Sequence, residues 1–312
     1  MRALGTFLRP AIAIAAVVLA GFLLRRTFQG YELEDIAKQV MSAPPGRIAA
    51  AGAFAVASYA CLTLFDYFAL RYAGRPLAYR KAALASFTAL SLGHNIGFAA
   101  LSSGAVRYRF YSRWGLSAGD VANVVLFCGM TVGIGLGVLA LTGLILRPDL
   151  AGQLIGIAPS TARWSAVATG LLVLAYVVLC ARLDREFQLY GWRIRLPPVK
   201  LALAQLLIGP ANFLLVAACL HQSLAATSDI PYIDVATAYS LANIAALVSH
   251  VPGGLGVIEA VVTMVLSHAE VITGLVLFRL VYFLAPLVVG GTLLVTAELF
   301  AGRASAPEDR RA

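Results

Sequence analysis

The segment 120–146 reads DVANVVLFCGMTVGIGLGVLALTGLIL, and after Asp120 it contains no charged side chain. A helix rises about 1.5 Å per residue, so a run of this length crosses the roughly 30 Å hydrocarbon core of a bilayer. The pattern Ser117-x-x-Asp120 in front of it is a capping box, which predicts where the helix begins. A four-residue spacing of small residues predicts close packing against another helix: Gly129, Gly133 and Gly137.

Seven further apolar runs occupy most of the rest of the chain: 10–24, 48–70, 82–106, 164–181, 199–220, 235–266 and 271–300. The 312 residues are 60% hydrophobic and 12% charged, whereas soluble domains carry about 25% charged residues. Long apolar runs exclude an outer-membrane barrel, whose strands are short and alternating. We therefore predict an all-α polytopic membrane bundle of six or seven spans, forming one transmembrane domain over 1–312 with a short tail at 302–312.

The net charge of +9 comes mainly from Lys and Arg in short loops between the apolar runs. In such loops basic residues set membrane topology and contact anionic lipid, so nucleic acid is not expected as a partner. The run 10–24 is followed directly by Arg25 and Arg26 without a small-residue cleavage site, and we interpret it as a retained first helix instead of a signal peptide.

Two apolar runs are interrupted. Gly93-His94-Asn95-Ile96-Gly97 breaks the run 82–106, and His250-Val251-Pro252-Gly253-Gly254-Leu255-Gly256 breaks the run 235–266. Proline removes a backbone donor and glycine permits unusual dihedral angles, so both helices should break there. The arms are too short for two independent spans, which predicts re-entrant hairpins or single broken spans. Both breaks contain His-x-x-Gly, which suggests an inverted repeat.

Charge counting distinguishes the two topologies. If both broken runs re-enter and the N-terminus is cytoplasmic, 17 Lys and Arg lie on the cytoplasmic side and 6 on the outer side. If 82–106 crosses instead, the counts become 15 and 8. Cytoplasmic loops are enriched in Lys and Arg, which favours the first topology. Both topologies keep 107–113, 182–200 and the C-terminus cytoplasmic.

Ionisable residues within apolar runs are energetically unfavourable and need an explanation. Glu259 and Arg279 either neutralise each other as a structural pair or line a headgroup cavity, and a pair can do both. Asp66 lies close to Arg71 in sequence, which suggests a snorkelling or ion-paired residue.

The histidines at the breaks, and Asn95 beside one of them, either satisfy backbone carbonyls or belong to a site. The stretch from Arg107 to Trp114 mixes cations with aromatics, which indicates interfacial anchoring or, alternatively, headgroup capture at a cavity mouth. The residues predicted to bind substrate are His94, Asn95, Arg107, Arg109, His250, Glu259 and Arg279. The residues predicted to form the breaks are Gly93, Gly97, Pro252, Gly253, Gly254 and Gly256.

The sequence contains no catalytic motif and no phosphate-binding glycine loop. The cysteines, Cys61, Cys128, Cys180 and Cys219, each stand alone in an apolar run without metal-ligand spacing. We therefore expect no metal site, no cofactor and no enzymatic activity.

The motif blocks around both breaks resemble the N-terminal membrane domain of the lysylphosphatidylglycerol synthase/flippase family, also called multiple peptide resistance factor. The resemblance rests on SLGHNIGF (91–98), LSSGAVRYRFY (101–111), LSA (116–118) and VPGGLGVIE (251–259), and it covers roughly 80–300. It implies a flippase domain that moves aminoacylated phosphatidylglycerol to the outer leaflet. The cytosolic aminoacyltransferase domain of the two-domain relatives is not expected here, because the printed chain ends at Ala312.

The function expected from this resemblance is a phospholipid flippase of the cell inner membrane, with both termini cytoplasmic. The alternative is a membrane subunit or enzyme of lipid-headgroup modification that works with a separate soluble synthase. Membrane phospholipids, anionic or aminoacylated, are the expected partners, and a homo-oligomer is left open.

Overall fold

The computed structural model describes residues 41–96, 99–147, 158–182, 186–189, 192–226, 229–249, 251–266 and 271–304. The predicted first helix at 10–24, the break residues Gly97 and His250, and the tail from 305 onward lie outside the described residues.

Ten α-helices are present in the described part of the chain. Their bounds are α1 Pro45–Tyr72, α2 Tyr79–Ile96, α3 Ala99–Arg113, α4 Ala118–Leu146, α5 Pro159–Arg182, α6 Val199–Leu224, α7 Tyr232–Ser249, α8 Val257–Leu266, α9 Val271–Phe278 and α10 Ala285–Ala304. A 3₁₀ turn, Pro252–Gly254, precedes α8, and a π-helical turn, Arg279–Leu284, joins α9 to α10. Two short antiparallel strands, β1 Glu186–Leu189 and β2 Trp192–Arg195, connect α5 to α6.

Six described helices are long and apolar enough to cross a membrane: α1, α4, α5, α6, α7 and the continuous rod Val271–Phe300. This confirms the prediction of an all-α polytopic membrane bundle. The predicted capping box at the start of α4 is also present, since the Ser117 hydroxyl accepts from the Asp120 amide and the Asp120 carboxylate accepts from the Ser117 amide. The strand pair was not predicted, and it occupies a basic loop between two spans.

Contacts between loops define two faces of the bundle. Face 1 carries the pair Arg75–Asp120, 3.4 Å apart, and the Lys81 ammonium 5.5 Å from the centre of the Trp114 ring. It therefore contains the end of α1, the start of α2, the end of α3 and the start of α4.

Face 2 lies at the opposite ends of the helices. Arg47 at the start of α1 donates to Gln222 at the end of α6 over 2.9 Å, and Arg147 after α4 pairs with Asp234 at the start of α7 over 3.0 Å. Because α6 ends at face 2, it begins at face 1, and the strand pair before it also belongs to face 1.

The segment α2–α3 is a re-entrant hairpin, called hairpin 1 below. It begins and ends at face 1, which confirms the re-entrant alternative for 82–106. Gly93 does not form the break that was predicted there, since α2 continues to Ile96. Its lack of a side chain serves packing instead, because a methyl group at Gly93 would lie 2.8 Å from the Cβ of Ser103 on the returning arm.

The segment α7–α8 forms a second re-entrant hairpin, called hairpin 2. It begins at face 2 beside Arg147, and it is followed by α9, whose Gly274 packs against Leu224 at the same face. Although α7 has 18 residues and the length of a span, the chain turns back after it at Pro252–Gly254. The two hairpins therefore enter the bundle from opposite faces, as the inverted-repeat prediction requires.

The glycine stripe of α4 is used in a different register from the predicted one. No described residue lies within 4 Å of a methyl group built on Gly129 or Gly133, whereas one built on Gly135 would lie 2.4 Å from the carbonyl carbon of Gly209. The close helix approach of α4 to α6 therefore occurs at Gly135, two residues from the predicted stripe.

Candidate functional site

The break in hairpin 2 has the backbone geometry that its sequence predicts. Gly253, Gly254 and Gly256 have φ angles of 61°, 58° and 80°, which residues with a side chain adopt only under strain. The carbonyl groups of Gly253 and Gly254 lie at this reversal, before the first turn of α8, and they accept from a side chain elsewhere in the protein.

Arg279 supplies the donors for these carbonyls. Its guanidinium donates to the carbonyl oxygens of Gly253 and Gly254, the latter over 3.1 Å, and its carbon lies 4.6 Å from the centre of the Phe283 ring. The same guanidinium binds Glu259 through two hydrogen bonds. The Arg279 Nε donates to Oε1 over 2.6 Å, and the Arg279 Nη2 donates to Oε2 over 3.0 Å. The predicted pairing of Glu259 with Arg279 is confirmed.

Glu259 differs from its partner in being accessible. Arg279 is 5% exposed, whereas the Glu259 side chain is 26% exposed. Its carboxylate also accepts from the Gly256 amide over 2.9 Å, which closes the first turn of α8. It lines an open depression of about 460 Å³ together with apolar and small side chains: Ala260, Thr263, Met264 and Ile272. Met264 and Ile272 are 65% and 46% exposed, so the depression faces outward from the bundle.

The tips of the two hairpins meet. A methyl group at Gly253 would lie 3.5 Å from the carbonyl oxygen of His94, 3.8 Å from that of Asn95 and 3.6 Å from the Arg279 guanidinium. These are ordinary van der Waals distances, so the positive φ angle of Gly253, and not the proximity of hairpin 1, is what requires glycine at this position.

Asn95 and His94 lie at the tip of hairpin 1. The Asn95 amide donates to the carbonyls of Ser91, over 2.9 Å, and Phe283, over 3.3 Å. The His94 ring stacks on Tyr282 at 6.5 Å between centres, and its buried Nδ1 has no hydrogen-bond partner in the described part of the chain. The second predicted break histidine, His250, lies outside the described residues.

The π-helical turn Arg279–Leu284 supports this meeting point. A π turn spaces its hydrogen bonds five residues apart and leaves backbone groups unpaired. Tyr59 donates to the Tyr282 carbonyl over 3.4 Å, and the Tyr282 hydroxyl bonds to Ser58 over 2.9 Å. Helix α1 thus supplies a donor to the backbone of the turn and a hydrogen-bond partner to its Tyr282 side chain.

Arg107 lies elsewhere, in a buried network along α3. It is 2% exposed and binds Asp66 through two 2.8 Å hydrogen bonds. Asp66 is fully buried and also accepts from Ser86 over 2.8 Å and from Tyr111 over 2.6 Å. The ion pair predicted for Asp66 exists, but its partner is Arg107; Arg71 instead lies over the Tyr67 ring at 3.5 Å. The network joins α1, α2 and α3.

Arg109 forms a third ionic cluster, near face 1. It binds Glu298 of α10 through two 2.6 Å hydrogen bonds, and Arg113 binds the same carboxylate. Glu298 was missed in the sequence, although an acidic residue inside the run 271–300 is itself a signal. Arg107 and Arg109 therefore face different helices, and neither contacts the Glu259–Arg279 pair.

The fold and these polar contacts define a multi-pass helical membrane protein in which two re-entrant hairpins from opposite faces meet beside a buried ion pair. The chain belongs to the family described as "Lysylphosphatidylglycerol synthase TM region", whose sequence model matches residues 11–290.

Two relatives support the same assignment. The chain is 27% identical over 292 residues to "Uncharacterized protein slr0712" of Synechocystis sp., covering 89% of this chain and 87% of the relative. It is 28% identical over 243 residues to "Inner membrane protein YbhN" of Escherichia coli K12, covering 74% of each.

Proposed function

We propose that this protein moves a phospholipid between the leaflets of the cell inner membrane, with an anionic or aminoacylated phosphatidylglycerol as the class of substrate. The observation that carries the proposal is the meeting of two opposed hairpin tips beside the Glu259–Arg279 pair. Transporters built from inverted repeats bind substrate at broken helices of this kind, near the centre of the bilayer.

Glu259 is the group best placed to contact the headgroup. Its carboxylate is partly exposed in the 460 Å³ depression, where Met264 and Ile272 offer apolar surface to acyl chains. A carboxylate there favours a headgroup that carries an ammonium group, as an aminoacylated lipid does.

Arg279 is the predicted partner for the phosphate, but its hydrogen bonds are already made to Glu259 and two carbonyls. Binding a phosphate at Arg279 therefore requires an exchange of these acceptors. Such an exchange would release the turn Pro252–Gly254 and link substrate binding to movement of hairpin 2.

Reconstitution in liposomes tests the proposal. Phosphatidylglycerol labelled on its headgroup side is placed in both leaflets, and a membrane-impermeant quencher reports the fraction reaching the outer leaflet. We expect faster exposure with the protein than in empty liposomes, and slower exposure with Glu259→Gln. Equal rates with and without protein, for both plain and lysylated phosphatidylglycerol, contradict a translocase.

A second function is favoured by the description of the family as a synthase region. The protein would then be the membrane subunit of a headgroup-modifying system, with a separate soluble aminoacyltransferase as its partner. Adding a cytosolic extract, charged tRNA and the reconstituted protein distinguishes the two functions. Formation of aminoacylated lipid that depends on the membrane protein supports the synthase subunit.

A further inference from the structure

The cluster of Arg109, Arg113 and Glu298 at face 1 has an excess of positive charge. Both arginines bind the one carboxylate, which is 2% exposed, while their own side chains are 26% and 31% exposed. The other ion pairs in the described residues match one arginine to one carboxylate: Arg75–Asp120, Arg107–Asp66, Arg147–Asp234 and Arg279–Glu259.

The two guanidinium groups have donors to spare. Each carries five N–H groups. Three of these ten bind Glu298, which leaves seven without a protein acceptor in the described part of the chain. Guanidinium groups bind phosphate and carboxylate through the same forked geometry, so the cluster is preorganised for a second anion.

The position of the cluster indicates the source of that anion. Arg113 is followed by Trp114, and the Lys81 ammonium lies 5.5 Å from the centre of the Trp114 ring. Tryptophan prefers the boundary between headgroups and hydrocarbon. Anions at this depth are lipid headgroups, and a third cation beside the ring strengthens the attraction to them.

We propose that Arg109 and Arg113 form a docking site for the phosphodiester of an anionic phospholipid at face 1, and that Glu298 is a built-in competing anion. A docked phosphodiester accepts from the remaining donors and shares the positive charge of the two guanidinium groups with Glu298, which weakens the contact between α3 of hairpin 1 and α10. The site deepens the proposed function, since it would load lipid before the hairpin tips, but its test measures lipid binding and does not depend on transport.

Tryptophan quenching by brominated lipids measures this binding on the full chain. Trp164→Phe with Trp192→Phe leaves Trp114 as the only tryptophan of three. The protein is reconstituted with brominated phosphatidylglycerol or brominated phosphatidylcholine, and the ratio of quenching gives the relative affinity at Trp114. We expect a preference of about two- to fivefold for phosphatidylglycerol, the upper part of the range for an exposed charged pair.

Four variants decide the proposal. Arg109→Gln with Arg113→Gln should abolish the preference, and Glu298→Gln should raise it because the competing anion is gone. Arg75→Gln, which removes a cation from a one-to-one pair on the same face, should leave it unchanged. If the double variant does not fold, Arg113→Gln alone should lower the preference, since it leaves the two-pronged Arg109–Glu298 pair intact.

The opposite results overturn the proposal. A preference that survives loss of both arginines, or that falls equally with Arg75→Gln, shows general attraction to a basic face. Loss of the preference on adding glycerol phosphate shows a site for soluble phosphates instead of lipid. A preference that follows the variants while no lipid is translocated leaves the site standing and removes the proposed function.

Discussion

Replacing Arg279 by leucine should destabilise hairpin 2 and stop lipid translocation. The substitution removes every donor that the guanidinium supplies: two hydrogen bonds to Glu259 and one each to the carbonyls of Gly253 and Gly254. It leaves a carboxylate and two carbonyl groups without their main partner.

The expected loss of stability follows from burial. Removing one partner of a buried ion pair costs about 3–5 kcal/mol. Glu259 is 26% exposed, so water recovers part of its solvation and the lower end of that range applies. We therefore expect Arg279→Leu to lower the free energy of unfolding by at least about 3 kcal/mol, since the loss of donors to the two carbonyls adds to the cost of the broken ion pair.

The double variant Arg279→Leu with Glu259→Leu distinguishes the cost of an unpaired charge from the cost of backbone carbonyls that lack donors. An ion pair that makes no other contacts can be replaced by apolar residues with little loss of stability. Here Gly253 and Gly254 would still lack donors, each at about 1–3 kcal/mol. The double variant should therefore remain destabilised by about 2–6 kcal/mol, and it should still be more stable than Arg279→Leu alone because no unpaired carboxylate is left.

Thiol reactivity provides the stability assay. All four cysteines are buried and free, so a thiol-reactive dye fluoresces only as the protein unfolds. At about 2–4 °C per kcal/mol, the range for chains of 150–250 residues, Arg279→Leu should lower the melting temperature by at least about 6 °C. Arg147→Leu is the matched control, since it removes a 42% exposed arginine from a pair on face 2 and should change stability by about 1 kcal/mol or less.

Two results would refute this reasoning. An unchanged melting temperature for Arg279→Leu means that the four hydrogen bonds contribute nothing to the fold. A folded double variant that moves lipid at the parental rate means that Glu259 and Arg279 are architecture and that the substrate passes elsewhere.

Three other predictions concern the scaffold. Asp66→Asn should lower the free energy of unfolding by about 3–5 kcal/mol, because it leaves the buried Arg107 charge without a counter-ion, and the same dye assay measures it. Gly135→Val should reduce the folded yield on size-exclusion chromatography, because even a methyl group there would lie 2.4 Å from the carbonyl carbon of Gly209. Arg75→Cys should be inaccessible to an impermeant thiol reagent in intact cells, whereas Arg147→Cys should be labelled; the reverse pattern means that face 1 is external.

The sequence predicts what depends on composition and local chemistry. Apolar length identifies the spans, and the Pro252-Gly253-Gly254 triplet locates the turn in hairpin 2, because proline and glycine act on their own backbone. The Glu259–Arg279 pair is also predictable, since each charge lies in an apolar run with no loop in reach. In these cases the composition of an apolar run, or the presence of a charge within it, is enough for the prediction.

The other pairings depend on tertiary geometry. Asp66 and Arg107 are 41 residues apart, and only the packing of α1 against hairpin 1 brings them together. Arg71 is closer in sequence, but it lies over Tyr67 one turn earlier on its own helix. The Gly135 contact likewise depends on which side of α4 meets Gly209, and the four-residue spacing of glycines alone does not specify that side.

The π-helical turn Arg279–Leu284 connects the two hairpins. Its first residue holds the tip of hairpin 2 through the Gly253 and Gly254 carbonyls, and its Phe283 carbonyl accepts from Asn95 at the tip of hairpin 1. A return of this turn to α-helical spacing would rotate the residues before it by about 100° relative to those after it, since one residue accounts for one step of a 3.6-residue turn. Arg279 and Phe283 cannot then keep both sets of contacts. Since the same turn supports both tips, a rearrangement that frees one hairpin also disturbs the other, which is the coupling that alternating access from two faces requires.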